Sequence, residues 1–260
     1  LQYEEATMKD QVKFEIEDAQ GERTQRIYAR LAGFLLLWLI INGLGGALIF
    51  SHILGSGTFA ETAKRIAASE RLYRVALSSE VIETLSAVLL AFALYVTLKP
   101  VNNLLAQLAM IFILEDSILG WVVRMCGFVR LHLYTSSQSV GASGTIPSQA
   151  LVDLTRRIAG AAENVGGICF GIGSLLFFYL FFKSRYIPKI LSALGLSASV
   201  IWTGLYFANL VFPERHAVFQ YICWPLMAVA EVTTGFYLML FAVKTQDRGD
   251  QSAQRAATAG

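Results

Sequence analysis

The chain has 260 residues, 55% of them hydrophobic and 15% charged, with a formal net charge of +2 and a mean hydropathy of +0.53. Charge this sparse excludes an ordinary soluble domain. Lys and Arg gather at the ends of apolar blocks instead of forming a basic stripe, so a nucleic-acid partner is excluded as well.

Residues 1–27 read as a polar tail. Within it Val12, Phe14 and Ile16 alternate with Lys13, Glu15 and Glu17, which suits a short strand and a disordered tail equally. No positively charged start leads into an apolar stretch there, so no cleavable signal peptide is expected and the first spanning helix should direct insertion. Residues 28–245 then hold six apolar blocks: 31–54, 72–98, 104–128, 158–182, 190–212 and 221–243. A helix needs about 20 apolar residues to cross the hydrocarbon core, and each block suffices with some tilt. None shows period-two alternation, and unpaired backbone groups are costly in lipid. The expected fold is therefore all-α, a polytopic bundle of six transmembrane helices in contact with the lipid bilayer.

Two long connections interrupt the blocks. From Thr58 to Arg71 the placement of Phe59, Ala63, Ile66 and Ala67 beside Glu61, Lys64 and Arg65 has helical period and predicts a short interfacial helix. From Tyr134 to Ser148 Ser and Gly dominate, which predicts a mobile loop, the place for a lid, with helix restarting over Pro147 to Arg157. Residues 246–260 are polar and rich in small residues and read as a disordered tail. Basic residues are modestly biased toward the short turns at Lys99-Pro100 and Lys183 to Lys189, which favours both termini in the cytoplasm.

Several segments together resemble a known family: Ala68-Ser69-Glu70-Arg71-Leu72-Tyr73-Arg74, Leu94 to Pro100, Leu114-Glu115 with Ile118-Leu119-Gly120, and Phe181 to Leu191, with Pro225 and Glu231 in the last block. They are similar to the bacterial multi-pass membrane family called domain of unknown function 4386 (DUF4386), over nearly all of Arg30 to Val243. The resemblance implies a multi-pass protein of the bacterial inner membrane and carries no activity. It also leads to the expectation of an Arg shortly before the third-block Glu, where this chain has Phe112.

The functional signal is carboxylates inside the spans: Glu80 and Glu83 in the second block, Glu115 and Asp116 in the third, Glu163 in the fourth, Glu231 in the sixth. An acid at the centre of a spanning helix costs about 2.5–3.5 kcal/mol on insertion scales and usually faces the bundle interior or water. Counting about 1.5 Å per residue predicts two layers. Glu83, Glu115, Asp116 and Glu231 form an acidic midplane, the candidate ion- or substrate-binding set. Glu80, Glu163 and Arg124 form an outer network, with Arg124 paired to Glu80 or Glu163. Glu115 and Asp116 point about 100° apart, so at most one faces the axis.

Three readings stay open. The acids handle protons or cations, as in a small transporter; they act as general acids on a lipid-like or polyprenyl-like substrate in an intramembrane enzyme; or they are interhelical struts in a scaffold or complex subunit. The ligand expected is accordingly a cation, a proton or a small hydrophobic molecule, the partner a second copy or a membrane complex, and the cofactor unknown. His52, His132 and His216 fall near helix ends on one predicted side but lack metal-binding spacing, so no metal is expected. Cys126, Cys169 and Cys223 read as buried inert thiols. Gly43, Gly45 and Gly46, and Gly166, Gly167, Gly171 and Gly173, are expected to let helices approach closely, and the four Trp residues to pack or anchor.

Overall fold

The apolar blocks become long helices that pack chiefly on their sequence neighbours, except that the last returns to the first. The computed structural model describes residues 2–140 and 142–243, with side chains described for 19–136, 148–215 and 217–243. It comprises α1 (Gln2–Leu54), α2 (Phe59–Ala68), α3 (Glu70–Leu98), α4 (Asn103–Val140), α5 (Ala142–Ser184), α6 (Lys189–Val211), a 3-10 turn (Pro213–Arg215) and α7 (His216–Phe241), with no strand among the described residues. Six of these helices are long and apolar enough to cross a membrane; α2 is the short one.

Two expectations change. The alternation at Val12, Phe14 and Ile16 lies on helix, because α1 starts at Gln2 and extends outward from the first span. Residues 2–18 contain four Glu, two Gln and two Lys, residue types of good helix propensity. The segment read as a mobile loop is helix up to Val140 and again from Ala142, so no long loop remains there to act as a lid. The hydroxyls fold back onto the helix: Thr135 Oγ1 donates to the Leu131 and His132 carbonyls, both at 3.1 Å, and Ser136 Oγ to the Leu133 carbonyl at 3.3 Å. Serine and threonine that bond their own helix in this way do not end it. Residues 246–260 lie outside the described residues.

Around the bundle α1 packs on α3, α3 on α4, α4 on α5, α5 on α6, α6 on α7, and α7 on α1, closing a ring. One end carries the short turns, and there Gln25 Nε2 donates to the Thr97 carbonyl at 2.7 Å. One apolar cluster fills this turn end with Leu36 of α1, Leu90 and Leu98 of α3, Ile113 of α4, Phe178 and Phe181 of α5, and Leu238 of α7, and continues along α6 and α7 to Tyr206 and Cys223. A second, smaller cluster at the far end joins Ile53, Ile66, Tyr73, Leu77, Leu131, Tyr134 and Val152, from α1 to α5.

The short helix α2 lies over that far cluster, packing mainly on α4, with Phe59 stacked on Tyr134 at 5.3 Å between ring centres. Gly55 and Gly57 have φ of +52° and +150° and let the chain turn back after α1. A capping box then starts α2: the Thr58 amide donates to Glu61 Oε2 at 2.8 Å, and the Glu61 amide to Thr58 Oγ1 at 3.3 Å. Those bonds, the Thr58 amide first, hold the Glu61 carboxyl below its ordinary value of 4.5. A group with a lowered folded pKa stabilises above its unfolded pKa, and that support is lost as pH falls through the lowered one. Amide exchange across Phe59–Ala68 should therefore speed up selectively under acid, and Glu61→Gln should remove most of that dependence. An acid response unchanged in Glu61→Gln would assign it to another group.

Candidate functional site

Between the two apolar clusters the helices turn their polar residues inward. On α3, Glu80 and Glu83 lie between Leu77 of the far cluster and Leu90 of the turn-end cluster; on α4, Asp116 and Arg124 lie between Ile113 and Leu131. Helical spacing puts Glu80 and Glu83 on one face. Arg124 meets both from the neighbouring helix, Nε at 3.7 Å from Glu80 Oε2 and a terminal nitrogen at 3.9 Å from Glu83 Oε2. Arg124 Nε is buried without a hydrogen bond, so charge more than directed bonding holds this pair. Arg124 is 19% exposed, Glu80 26% and Glu83 27%.

This layer extends to both sides. Toward α1, Glu83 Oε1 lies close enough that a Cβ on Gly43 would stand 3.4 Å from it. Next to Gly43 the Ser79 hydroxyl donates to Asn42 Oδ1, and about one turn further along α1 Trp38 Nε1 donates to Ser86 Oγ at 3.2 Å. Toward α5, Asp116 Oδ1 lies against Gly166, where a Cβ would come within 2.8 Å. Asp116 lies within the electrostatic reach of Arg124, Glu163 and Glu83, and Glu163 reaches Glu80 and Tyr206 in the same way. Glu163 is exposed and accepts from Gln220 Nε2 of α7 at 3.5 Å. Beside it Asn209 Nδ2 of α6 donates to Asn164 Oδ1 at 2.5 Å.

The two expected layers are therefore one. Arg124, placed in the outer network, pairs with Glu80 and with the midplane residue Glu83, and Asp116 stands in its field; the expected alternative partner Glu163 makes no ion pair with it among the described residues. Two of the four midplane acids do not join them. Glu115 is exposed and lies by the Cys169 thiol of α5. Glu231 is half-buried on α7 and has no charged neighbour among the described residues. Sequence reasoning overlooked Asn42, Asn164, Asn209 and Gln220. Uncharged amides inside apolar blocks were the signal, since burying an amide also demands a partner.

The weaker candidates resolve separately. His52 and His132 are exposed, the side chain of His216 lies outside the described ones, and among the described residues no three His, Cys, Asp or Glu side chains are grouped to hold a metal ion. All three cysteines are buried and free. Gly167, Gly171 and Gly173 are packed against Tyr206, Thr203 and Ile113, whereas Gly45 and Gly46 meet nothing within 4 Å and so mark no close helix approach. Trp202 is not a scattered anchor: its Nε1 donates to the Gly167 carbonyl at 2.9 Å, and it contacts Tyr206 and Trp224 with ring centres 5.0 and 5.6 Å apart. An open groove of about 820 Å³ at the α2–α3 elbow, lined by Ser69, Glu70, Arg71 and Arg74 among others, lies apart from the charged layer. Its Arg74 is already bonded to Glu70 at 2.8 Å.

No curated protein and no solved structure matches the chain. Residues 31–242 match the family described as domain of unknown function (DUF4386), which spans all six long helices and the whole charged layer. This multi-pass membrane protein belongs to the DUF4386 family.

Proposed function

We propose that this protein is a small proton- or cation-linked transporter whose binding layer is formed by Asp116, Glu83 and Glu80 around Arg124. One observation carries the reading: Arg124 on α4 is paired with both Glu80 and Glu83 on α3, and Asp116 and exposed Glu163 stand near enough to feel that group's charge. Acids outnumber the base in it, which favours a positively charged ligand. In this reading entry is past Glu163 and Gln220, because Glu163 is the exposed member of the charged group. The other end is shut by Phe178, Phe181 and their neighbours, and passage to that side requires the helices to rock apart there, as alternating access does.

The same reading places the protein in the bacterial cytoplasmic membrane with both termini inside. Lys99, Lys183, Arg185 and Lys189 at the turn end support that orientation through the positive-inside bias. Glu231, which faces no countercharge, serves as a separate proton-carrying group on α7.

Flux in vesicles tests this directly. Purified protein in liposomes with an entrapped pH dye, under an imposed gradient of protons, Na⁺ or K⁺, should move one of these ions faster than empty liposomes. Asp116→Asn and Glu83→Gln should each reduce that flux at least tenfold while thermal unfolding in detergent stays within a few degrees. Wild-type flux equal to that of empty liposomes for all three gradients would reject transport of these ions, and full flux in Asp116→Asn would remove Asp116 from the site.

A further inference from the structure

Gly166 and Gly167 are successive residues of α5, so they point about 100° apart around its axis. A polar side chain from a different helix takes up each place. Asp116 of α4 lies against Gly166, where a Cβ would stand 2.8 Å from its Oδ1, and the ring of Tyr206 of α6 lies against Gly167, where a Cβ would overlap it. The two glycines thus admit an aspartate and a tyrosine to the same level of α5, one from each of its flanking helices. Tyr206 is held firmly there. It is 5% exposed, its ring is stacked on Trp202 at 5.0 Å between centres, and Trp202 is itself bonded to the Gly167 carbonyl.

A buried tyrosine hydroxyl takes a polar partner, and here it is Gln220 of α7. Gln220 also donates to Glu163 at 3.5 Å, the exposed carboxylate one turn from Gly167 along α5. The titratable groups that act most strongly on Tyr206 are Glu163 on α5, the Cys223 thiol on α7 and Asp116 on α4. Tyr206 therefore stands within reach of both the exposed acid and the inner one. The space beside it is filled: Asn209 of α6 is 4% exposed and donates to Asn164 at 2.5 Å. A cation carrying part of its hydration shell needs room to pass such a layer. A proton needs only a hydroxyl that accepts on one side, donates on the other and rotates back.

We propose that the transported ion is the proton and that the Tyr206 hydroxyl is its relay, between Glu163 and Gln220 at the mouth and Asp116 inside. The hydroxyl gives its proton to the Asp116 carboxylate, directly or across one water, as it takes one from the Glu163 carboxyl. One O–H bond breaks on each donor and one forms on each acceptor, and Tyr206 is neutral before and after. The inference rests on the transport reading and names its ion. Tyr206→Phe removes the hydroxyl and keeps the ring against Gly167 and Trp202, so thermal unfolding in detergent should stay within a few degrees. Proton flux into liposomes should fall about tenfold or more. Exchange at Asp116 is read without flux: the infrared band of its protonated carboxyl, assigned by its loss in Asp116→Asn, should shift in heavy water about tenfold more slowly in Tyr206→Phe, to the same final amplitude. A merely structural role would change the amplitude or the unfolding temperature and leave the rate alone. Either rate unchanged in Tyr206→Phe overturns the relay, as does absence of the Asp116 band at every pH at which the protein is folded. If Tyr206→Phe loses its fold, Gln220→Leu serves instead, since it takes the hydroxyl's partner at the mouth, and unchanged rates there overturn the relay. Wild-type flux of Na⁺ or K⁺ without protons overturns it and leaves the transport reading intact, whereas no flux of any of the three rejects both.

Discussion

Replacing Arg124 by Met is expected to destabilise the protein by about 3 kcal/mol, the lower end of the range for breaking a buried ion pair. The lower end applies because a fifth to a quarter of each partner side chain is exposed. Met retains much of the stem volume, so the loss is one of charge. Without Arg124, Glu80 and Glu83 face each other across one turn of α3, and Asp116 stands beside them with no countercharge among its described neighbours. The same logic predicts a rescue. Arg124→Met combined with Glu80→Gln and Glu83→Gln should recover part of the loss, since removing both sides of a buried ion pair is often nearly neutral while Asp116 still lacks its countercharge. Thermal unfolding in detergent distinguishes the outcomes. If Arg124→Met alone unfolds with the wild type, the pair contributes little to folding, and if the triple variant is no better than the single, packing of the Arg stem is responsible.

The spans were legible in the sequence because each was fixed by one quantity, the length of an apolar run, and a bilayer core accepts only a narrow range of that length. The rotation of each helix about its axis was legible only in part. Glu115 and Asp116 were known to diverge, and the choice between them lay in the pattern around them. Ala109, Ile113 and Ser117 are buried and set the inward arc beside Asp116, while Leu108, Ile111 and Ile118 set the outward one around Glu115. In lipid both arcs are apolar, so hydrophobicity does not separate inside from outside as it does for a soluble helix. Size does: small residues mark the packed side.

The single network around Arg124 was not legible, because depth counted from block ends ignores tilt and helices longer than their apolar cores. The segment after Tyr134 failed for a related reason. Serine and glycine read as loop formers where water competes for backbone bonds, but here α4 and α5 support each other beyond the apolar run, with Arg156 donating to the Tyr134 hydroxyl at 2.8 Å.

Closure of the ring rests on another feature that the sequence did not announce. Gly33 and Gly235 stand alone, outside the glycine clusters, yet there α1 and α7 come close enough for backbone to meet backbone. A Cβ on Gly33 would lie 2.5 Å from the Met239 amide nitrogen and 2.6 Å from the Gly235 carbonyl oxygen. Those atoms are backbone and cannot rotate away, so Gly33→Ala must push α7 off α1. Overpacking of this kind typically costs about 1–3 kcal/mol, and the upper part of that range is expected here because two helices have to shift. Gly235→Ala meets Leu37 side-chain atoms and the Gly33 carbonyl at 3.1 Å, a crowding that small adjustments relieve, and should lose less. Gly204, with nothing within 4 Å, sits in the middle of α6, where Ala is the better helix former by about 0.5–1 kcal/mol, and Gly204→Ala should be neutral or stabilising. The order of stability in unfolding experiments is therefore Gly204→Ala, then Gly235→Ala, then Gly33→Ala. Faster amide exchange in Gly33→Ala should appear along α1 and α7 and spare α4 and α5. A Gly33→Ala variant as stable as Gly204→Ala would mean that the first and last helices do not close the ring by direct backbone contact.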